Sequence, residues 1–156
     1  MNPRVISSIV VLGVAASLAA HGSFSQPTPQ ANRKVINLPD HNAQLPFSDA
    51  ILAGNTLYLS GAIGIDSKTG QAPAAIDDEI RLLLDHVKGT LAAEGLKMDD
   101  LVYVQIACTD LTLYDKFNTA YRSYFSGKDF PAREFIGAAS VLRGGHFELQ
   151  AIAVKR

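Results

Sequence analysis

Ile76, Ile80, Leu83, Leu84, Val87 and Leu91 recur at intervals of four, three, one, three and four residues. Only a helix gathers such a set on one side of the chain. Asp77, Asp78 and Glu79 fall in its opening turn, where the helix dipole favours negative charge, and Gly95 marks its stop. A helix with one apolar stripe must lay that stripe on another apolar surface. The rest of the sequence offers strands to build one.

Residues 34–38 (KVINL) alternate weakly and end at Pro39, as a short first strand would. Two apolar runs, 48–52 and 56–65, are joined by Gly54-Asn55, a hairpin signal because both residues tolerate positive φ. Residues 101–108 (LVYVQIAC) read as a strand. Thr112 stands three residues before Asp115, a capping-box spacing, and Phe117, Tyr121, Tyr124 and Phe125 form the apolar side of a second helix ending at Gly127. After Pro131, residues 134–142 and 146–154 read as a second hairpin around Arg143-Gly144-Gly145. The predicted class is therefore α+β, a mixed sheet with two helices on one face. The other face is left free, and a chain this small covers such a face most readily with further copies of itself.

The first residues belong to a different regime. Residues 5–20 (VISSIVVLGVAASLAA) carry no charge and follow Arg4. The run is shorter than the ~20 apolar residues that a bilayer core requires. A basic start, an apolar run and then small residues predict a cleaved export signal over 1–25, with cleavage after Ala19, Gly22 or Ser25; the alternative reading of the same run is an uncleaved N-terminal anchor. Residues 26–36 then form a polar tail and 37–156 the domain. The mature protein is expected in the periplasm or outside the cell, with no membrane attachment once the signal is removed.

Fourteen Lys+Arg against fifteen Asp+Glu give a net charge of -1, and no basic stripe stands out. Binding to nucleic acid needs a clustered cationic excess, so that class is excluded. His21, His41, His86 and His146 have no second ligand at metal-site spacing, and the lone Cys108 can make neither an internal disulfide nor a thiolate site. Nucleotide-binding glycine motifs and the Gly-x-Ser-x-Gly elbow are missing. The chemistry is expected to need no metal and no cofactor.

Four polar residues in apolar surroundings are left as candidates. Arg133 follows Phe130-Pro131-Ala132, and its planar guanidinium suits a two-point grip on a carboxylate, although a surface salt bridge would use the same residue. Glu148 lies in an alternating segment that puts His146, Glu148 and Gln150 on one face and Phe147, Leu149 and Ala151 on the other. A carboxylate there could orient water or exchange a proton, or simply face solvent. Asn118 is a helix-surface amide or a ligand contact. Ser60 is a ligand donor or a strand cap.

Leu45-Pro46-Phe47-Ser48-Asp49-Ala50, Tyr58-Leu59-Ser60-Gly61-Ala62-Ile63, Asp66-x-x-Thr69-Gly70, Thr109-Asp110-Leu111, Phe117-Asn118-x-x-Tyr121, Phe130-Pro131-Ala132-Arg133 and the run from Phe147 to Val154 occur in that order. Together they resemble the RidA/YjgF family of enamine/imine deaminases. The resemblance implies a chorismate-mutase-like fold and a homotrimer with clefts between subunits. It also implies hydrolysis of 2-enamino and 2-imino acids to 2-oxo acids and ammonia. Arg133 matches the family's carboxylate-holding arginine and Glu148 the acid that places water, while Ser60 and Asn118 match positions near the cleft. Three positions depart from the pattern: Phe47 replaces a tyrosine, Ala62 a glutamine and Phe135 a cysteine. The Phe135 carbonyl could still contact substrate, with a larger ring reshaping the pocket. These departures frame the alternative, a trimer that binds a small carboxylate metabolite in the same cleft without turnover.

Overall fold

The computed structural model of the chain describes residues 33–156; the export signal read in 1–25 lies outside them. The strands are β1 (Arg33–Ile36), β2 (Ala50–Ala53), β3 (Thr56–Ile63), β4 (Leu101–Cys108), β5 (Ala132–Gly137) and β6 (Phe147–Val154). The helices are α1 (Ile76–Ala92) and α2 (Tyr114–Arg122). All six strands form one sheet in the order β1-β2-β3-β6-β4-β5. Because β1 begins at Arg33, the last part of the segment 26–36 belongs to the sheet rather than to a tail.

The first hairpin folds as its turn chemistry predicts. Ala53 pairs with Thr56 across Gly54-Asn55, and only Gly54, at φ 62, takes the left-handed conformation, as in a type II′ turn. The second hairpin does not form. β5 pairs parallel with β4, whereas β6 crosses back and inserts antiparallel between β3 and β4. Arg143-Gly144-Gly145 lies in the connection between them, with Arg143 at φ 59, and joins no adjacent strands. A strand paired on both sides satisfies both rows of its backbone groups, which a terminal hairpin at the sheet edge would leave half open.

Leu149, Ala151 and Ala153 of β6 alternate inward with Leu57 and Leu59 of β3 and with Val104 and Ile106 of β4. On this surface lies the α1 stripe of Ile80, Leu83, Leu84, Val87 and Leu91, each 0–1% exposed. Phe117 of α2 is fully buried against Phe147, with ring centroids 4.9 Å apart. α2 ends at Arg122, short of Gly127, and the single 3-10 turn that leads into it, Leu111–Leu113, is capped by Asp110, whose carboxylate accepts from the Thr112 amide at 2.9 Å. Thr112 is thus the capped residue and not the cap.

Glu79, in the opening turn of α1, is completely buried. Its Oε1 accepts from the backbone N–H groups of His146, at 2.5 Å, and Phe147, at 3.0 Å. Its Oε2 meets His146 Nδ1 at 2.8 Å. His146 therefore precedes β6 and turns to Glu79 instead of continuing the row of Glu148 and Gln150. Gly64 makes the approach possible, since a Cβ there would lie 2.1 Å from the Glu79 carbonyl oxygen. Loss of the carboxylate leaves two buried N–H groups without an acceptor, at about 1–3 kcal/mol each. Glu79→Ala is expected to lower unfolding stability by about 3 kcal/mol, and Glu79→Gln by less than half of that. Urea denaturation with an unchanged m-value tests this.

Candidate active site

Arg133 pairs in register with Val104, a core residue, so its side chain points to the helix side of the sheet. α2 runs above it and contributes Tyr114, Asn118 and Tyr121, which share one helix face through their spacing of four and three. Arg133 Nη2 donates to Asn118 Oδ1 at 2.7 Å and reaches the Tyr114 hydroxyl at 3.4 Å. The guanidinium also sits 5.0 Å from the Tyr121 ring centroid, 5.7 Å from Tyr114 and 5.8 Å from Phe135. Among the described residues no carboxylate pairs with it. The surface salt bridge is therefore not its role. Arg133, Tyr114, Asn118 and Tyr121 line a cavity of about 330 Å³ together with Arg122, Phe130 and Pro131.

Phe135 does not line the cavity but lies against the guanidinium. Its ring meets Tyr114 edge-on at 5.0 Å and Phe117 at 5.7 Å. The ring supports the guanidinium from below, a use of that position that the sequence reading did not foresee. The Tyr121 hydroxyl, buried beside the cavity, has no protein partner among the described residues. Burial pushes its pKa up to about 12, against the lowering influence of Arg133. Tyr114 moves the other way, because the Asn118 side chain and then the Arg133 charge favour its phenolate.

A second group of residues gathers near β1 and β2. Phe47, half exposed, lines a cavity of about 560 Å³ with Ser48, Ser60, His41, Asn37 and Arg33. The Ser60 hydroxyl donates to the Ser48 carbonyl at 2.6 Å, so its proton is already engaged and only its lone pairs are left free. Ser60 and Gly61 together face Gln150 where the β3–β6 register shifts between Leu59 and Ala62. An extra residue of this kind bends a strand and re-aims its side chains. Glu148 occupies the space that Gly61 leaves, and a Cβ at Gly61 would fall 2.2 Å from its Oε1.

Glu148 pairs with Ala107 and Ile63 on the face away from the helices, whereas Arg133 lies under α2. One chain thus brings Arg133, Asn118 and Phe135 together, and separately Phe47 and Ser60, with Glu148 against the neighbouring Gly61. It does not unite the two sets. Ala62, 8% exposed, belongs to the core and presents no side chain to either cavity. Cys108 is buried with its thiol pKa raised by burial, and its Sγ contacts the Asp110 carbonyl at 3.1 Å. No group of three or more His, Cys, Asp or Glu able to hold a metal ion occurs among the described residues.

Tyr114 and its alignment with Asn118 escaped the sequence reading, although the helical spacing that joins them was present. The ionisation order is testable. In alkaline titration followed by tyrosinate absorbance, Tyr114 is expected to ionise before Tyr121, and Arg133→Ala to move both upward. The Tyr114→Phe variant identifies the early step.

Residues 39–155 match a family model described as endoribonuclease L-PSP. The 2-iminobutanoate/2-iminopropanoate deaminase of Bos taurus is 32% identical over 125 residues, covering 79% of this chain and 90% of the relative. The structure of the YjgF gene product from Escherichia coli superposes with a TM-score of 0.72 at 32% identity, over 79% of this chain and 99% of that one. Escherichia coli TdcF with bound serine gives a TM-score of 0.72 at 28% identity, over 79% and 99% of the two chains. With the α+β architecture and the ordered motifs that frame Arg133 and Glu148, these similarities show that the chain belongs to the RidA/YjgF family.

Proposed function

We propose that the protein hydrolyses reactive 2-imino and 2-enamino acids to 2-oxo acids and ammonia, in clefts shared between the copies of an exported homotrimer. The observation that carries this reading is the Arg133 guanidinium, held by Asn118 inside an aromatic cavity and paired with no carboxylate among the described residues. Such a cation is preorganised to take a substrate carboxylate in a two-point grip. The serine bound to TdcF is itself a small amino acid, and the bovine relative is named for 2-imino acids. Both supports concern molecules with a carboxylate beside the reacting carbon.

The division of residues between two sheet faces supports shared clefts. Tyr58, Val102, Tyr103 and Ile136 stay 36–49% exposed, which is apolar surface of the kind that second copies cover. In this reading a neighbour's Arg133 cavity docks near the Phe47, Ser60 and Glu148 set. The substrate carboxylate lies on Arg133 and Asn118. Glu148 orients a water at the C=N carbon, an already electrophilic centre for which positioning and one polarised water supply most of the needed acceleration. Phe47 packs against the substrate's hydrocarbon part. Export through residues 1–25 belongs to the same proposal, resting on the sequence pattern of that segment.

Ammonia release from enzymatically generated 2-iminobutanoate is expected to exceed the uncatalysed rate. Arg133→Ala should weaken 2-oxobutanoate binding by roughly a hundredfold, about 3 kcal/mol. Saturable binding lost in Arg133→Ala, with no ammonia release above background, would instead mark a binding trimer. Light scattering is expected to give three times the subunit mass. Mixed and refolded Arg133→Ala and Glu148→Ala subunits should recover part of the activity, because some clefts regain both groups. No recovery would place both residues in one subunit's site.

A further inference from the structure

Asp49 is fixed from four directions. Its Oδ2 accepts from the Leu38 amide at 2.7 Å and its Oδ1 meets His41 Nδ1 at 2.9 Å. Its own N–H donates to Asn37 Oδ1 at 3.1 Å, and its carbonyl accepts from the Ser60 N–H at 2.9 Å. The paired side chains are 8% and 10% exposed. An ionised carboxylate only accepts, so Nδ1 of His41 carries the proton and the second ring nitrogen, Nε2, is the basic one. No described residue bonds Nε2, and His41 is one of the residues lining the cavity of Phe47, Ser48 and Ser60. The charged groups facing this imidazole are Asp49 and, on the same cavity, Arg33. A tautomer fixed by a buried carboxylate, with the opposite nitrogen unbonded in a residue that lines a cavity, is how imidazole is set up for proton transfer. Purely structural anchoring of the loop would already be met by Asp49 through Leu38 and Asn37.

We infer that His41, oriented by Asp49, is the proton-transfer residue of this site. The inference rests on the deaminase reading above. Ser60 lines the cavity, and its neighbour Gly61 lies against the Glu148 carboxylate, so the imidazole and the water-orienting acid flank the same stretch of β3. As water adds to the iminium carbon, a C–O bond forms and the π electrons move to nitrogen. The water gives one proton to Nε2, leaving a neutral carbinolamine. The imidazolium then protonates the amine nitrogen. The C–N bond breaks, its electron pair leaves with ammonia, and an oxygen lone pair closes the carbonyl. The last hydroxyl proton passes to ammonia, giving a 2-oxo acid and ammonium.

The experiment compares kcat/KM for 2-iminobutanoate between pH 5 and 9 in the wild type, His41→Gln and His41→Ala, with circular dichroism confirming that each variant is folded. His41→Gln is expected to lose at least tenfold, together with the limb of the pH profile that the imidazole supplies. Added imidazole is expected to restore activity to His41→Ala, which a loop-anchoring residue would not permit. A His41→Gln protein with the wild-type rate and profile overturns the assignment and leaves the deaminase reading intact. A folded, slow His41→Ala protein that imidazole fails to rescue also overturns it, marking His41 as a positioning residue. Absence of turnover in the wild type overturns the deaminase reading, and the proton-transfer role with it.

Discussion

The Glu79 carboxylate holds the molecule's two layers in one relation. It sits on the first turn of α1, is wholly buried, and accepts the two backbone N–H groups at the start of β6. β6 is the strand that joins the β1-β2-β3 half of the sheet to the β4-β5 half. A buried carboxylate with every oxygen engaged tolerates only one placement of its donors, since an unpaired charge or amide in the core costs several kcal/mol. Helix and strand therefore lock in register where the last strand enters the sheet. His146 closes the arrangement from the solvent side through Nδ1.

That register decides where chemistry can occur. With β6 central, Glu148 emerges on the open face above Gly61, at the point where β3 bulges. The same sheet order sends β5 to the edge, parallel to β4, and turns Arg133 under α2 among aromatic rings. The two charged groups of the proposed reaction are separated by the sheet itself. In the proposed shared cleft a neighbouring copy supplies the missing group, and the exposed side chains of the open face offer it a surface. The departures at Phe47 and Phe135 act differently. Phe47 forms part of an open cavity wall, whereas Phe135 is built into the platform beneath the guanidinium.

Local pattern made much of this legible. The periodicity of α1 and the alternation along β3, β4 and β6 are direct consequences of side-chain direction, so the core faces were readable before any contact was known. Gly54-Asn55 specified its turn through local φ preference. Local pattern misled where two signals were compatible with different partners. A glycine pair between two strand-like runs reads as a hairpin, but pairing is settled by the whole sheet, and β6 gains two neighbours by crossing instead of one by turning. The burial of Glu79 was out of reach of local pattern for a similar reason. An acidic residue in a helix's first turn is favoured by the dipole whether exposed or not, so its type carries no information about burial.

By itself the sequence determined the α+β class, the two-layer core, the family, and Arg133, Asn118, Ser60 and Glu148 as the residues to examine. Spacing and residue chemistry operate over a few positions and need no partner to be read. Only the tertiary structure decided which of these residues meet: that Asn118 holds Arg133, that Ser60 turns its proton to Ser48, and that Glu148 faces the other way. It also paired His41 with Asp49 and Glu79 with His146, across 8 and 67 residues of chain. Such pairings depend on strand order and on close approach through residues without a Cβ, and neither is encoded in any single stretch of sequence.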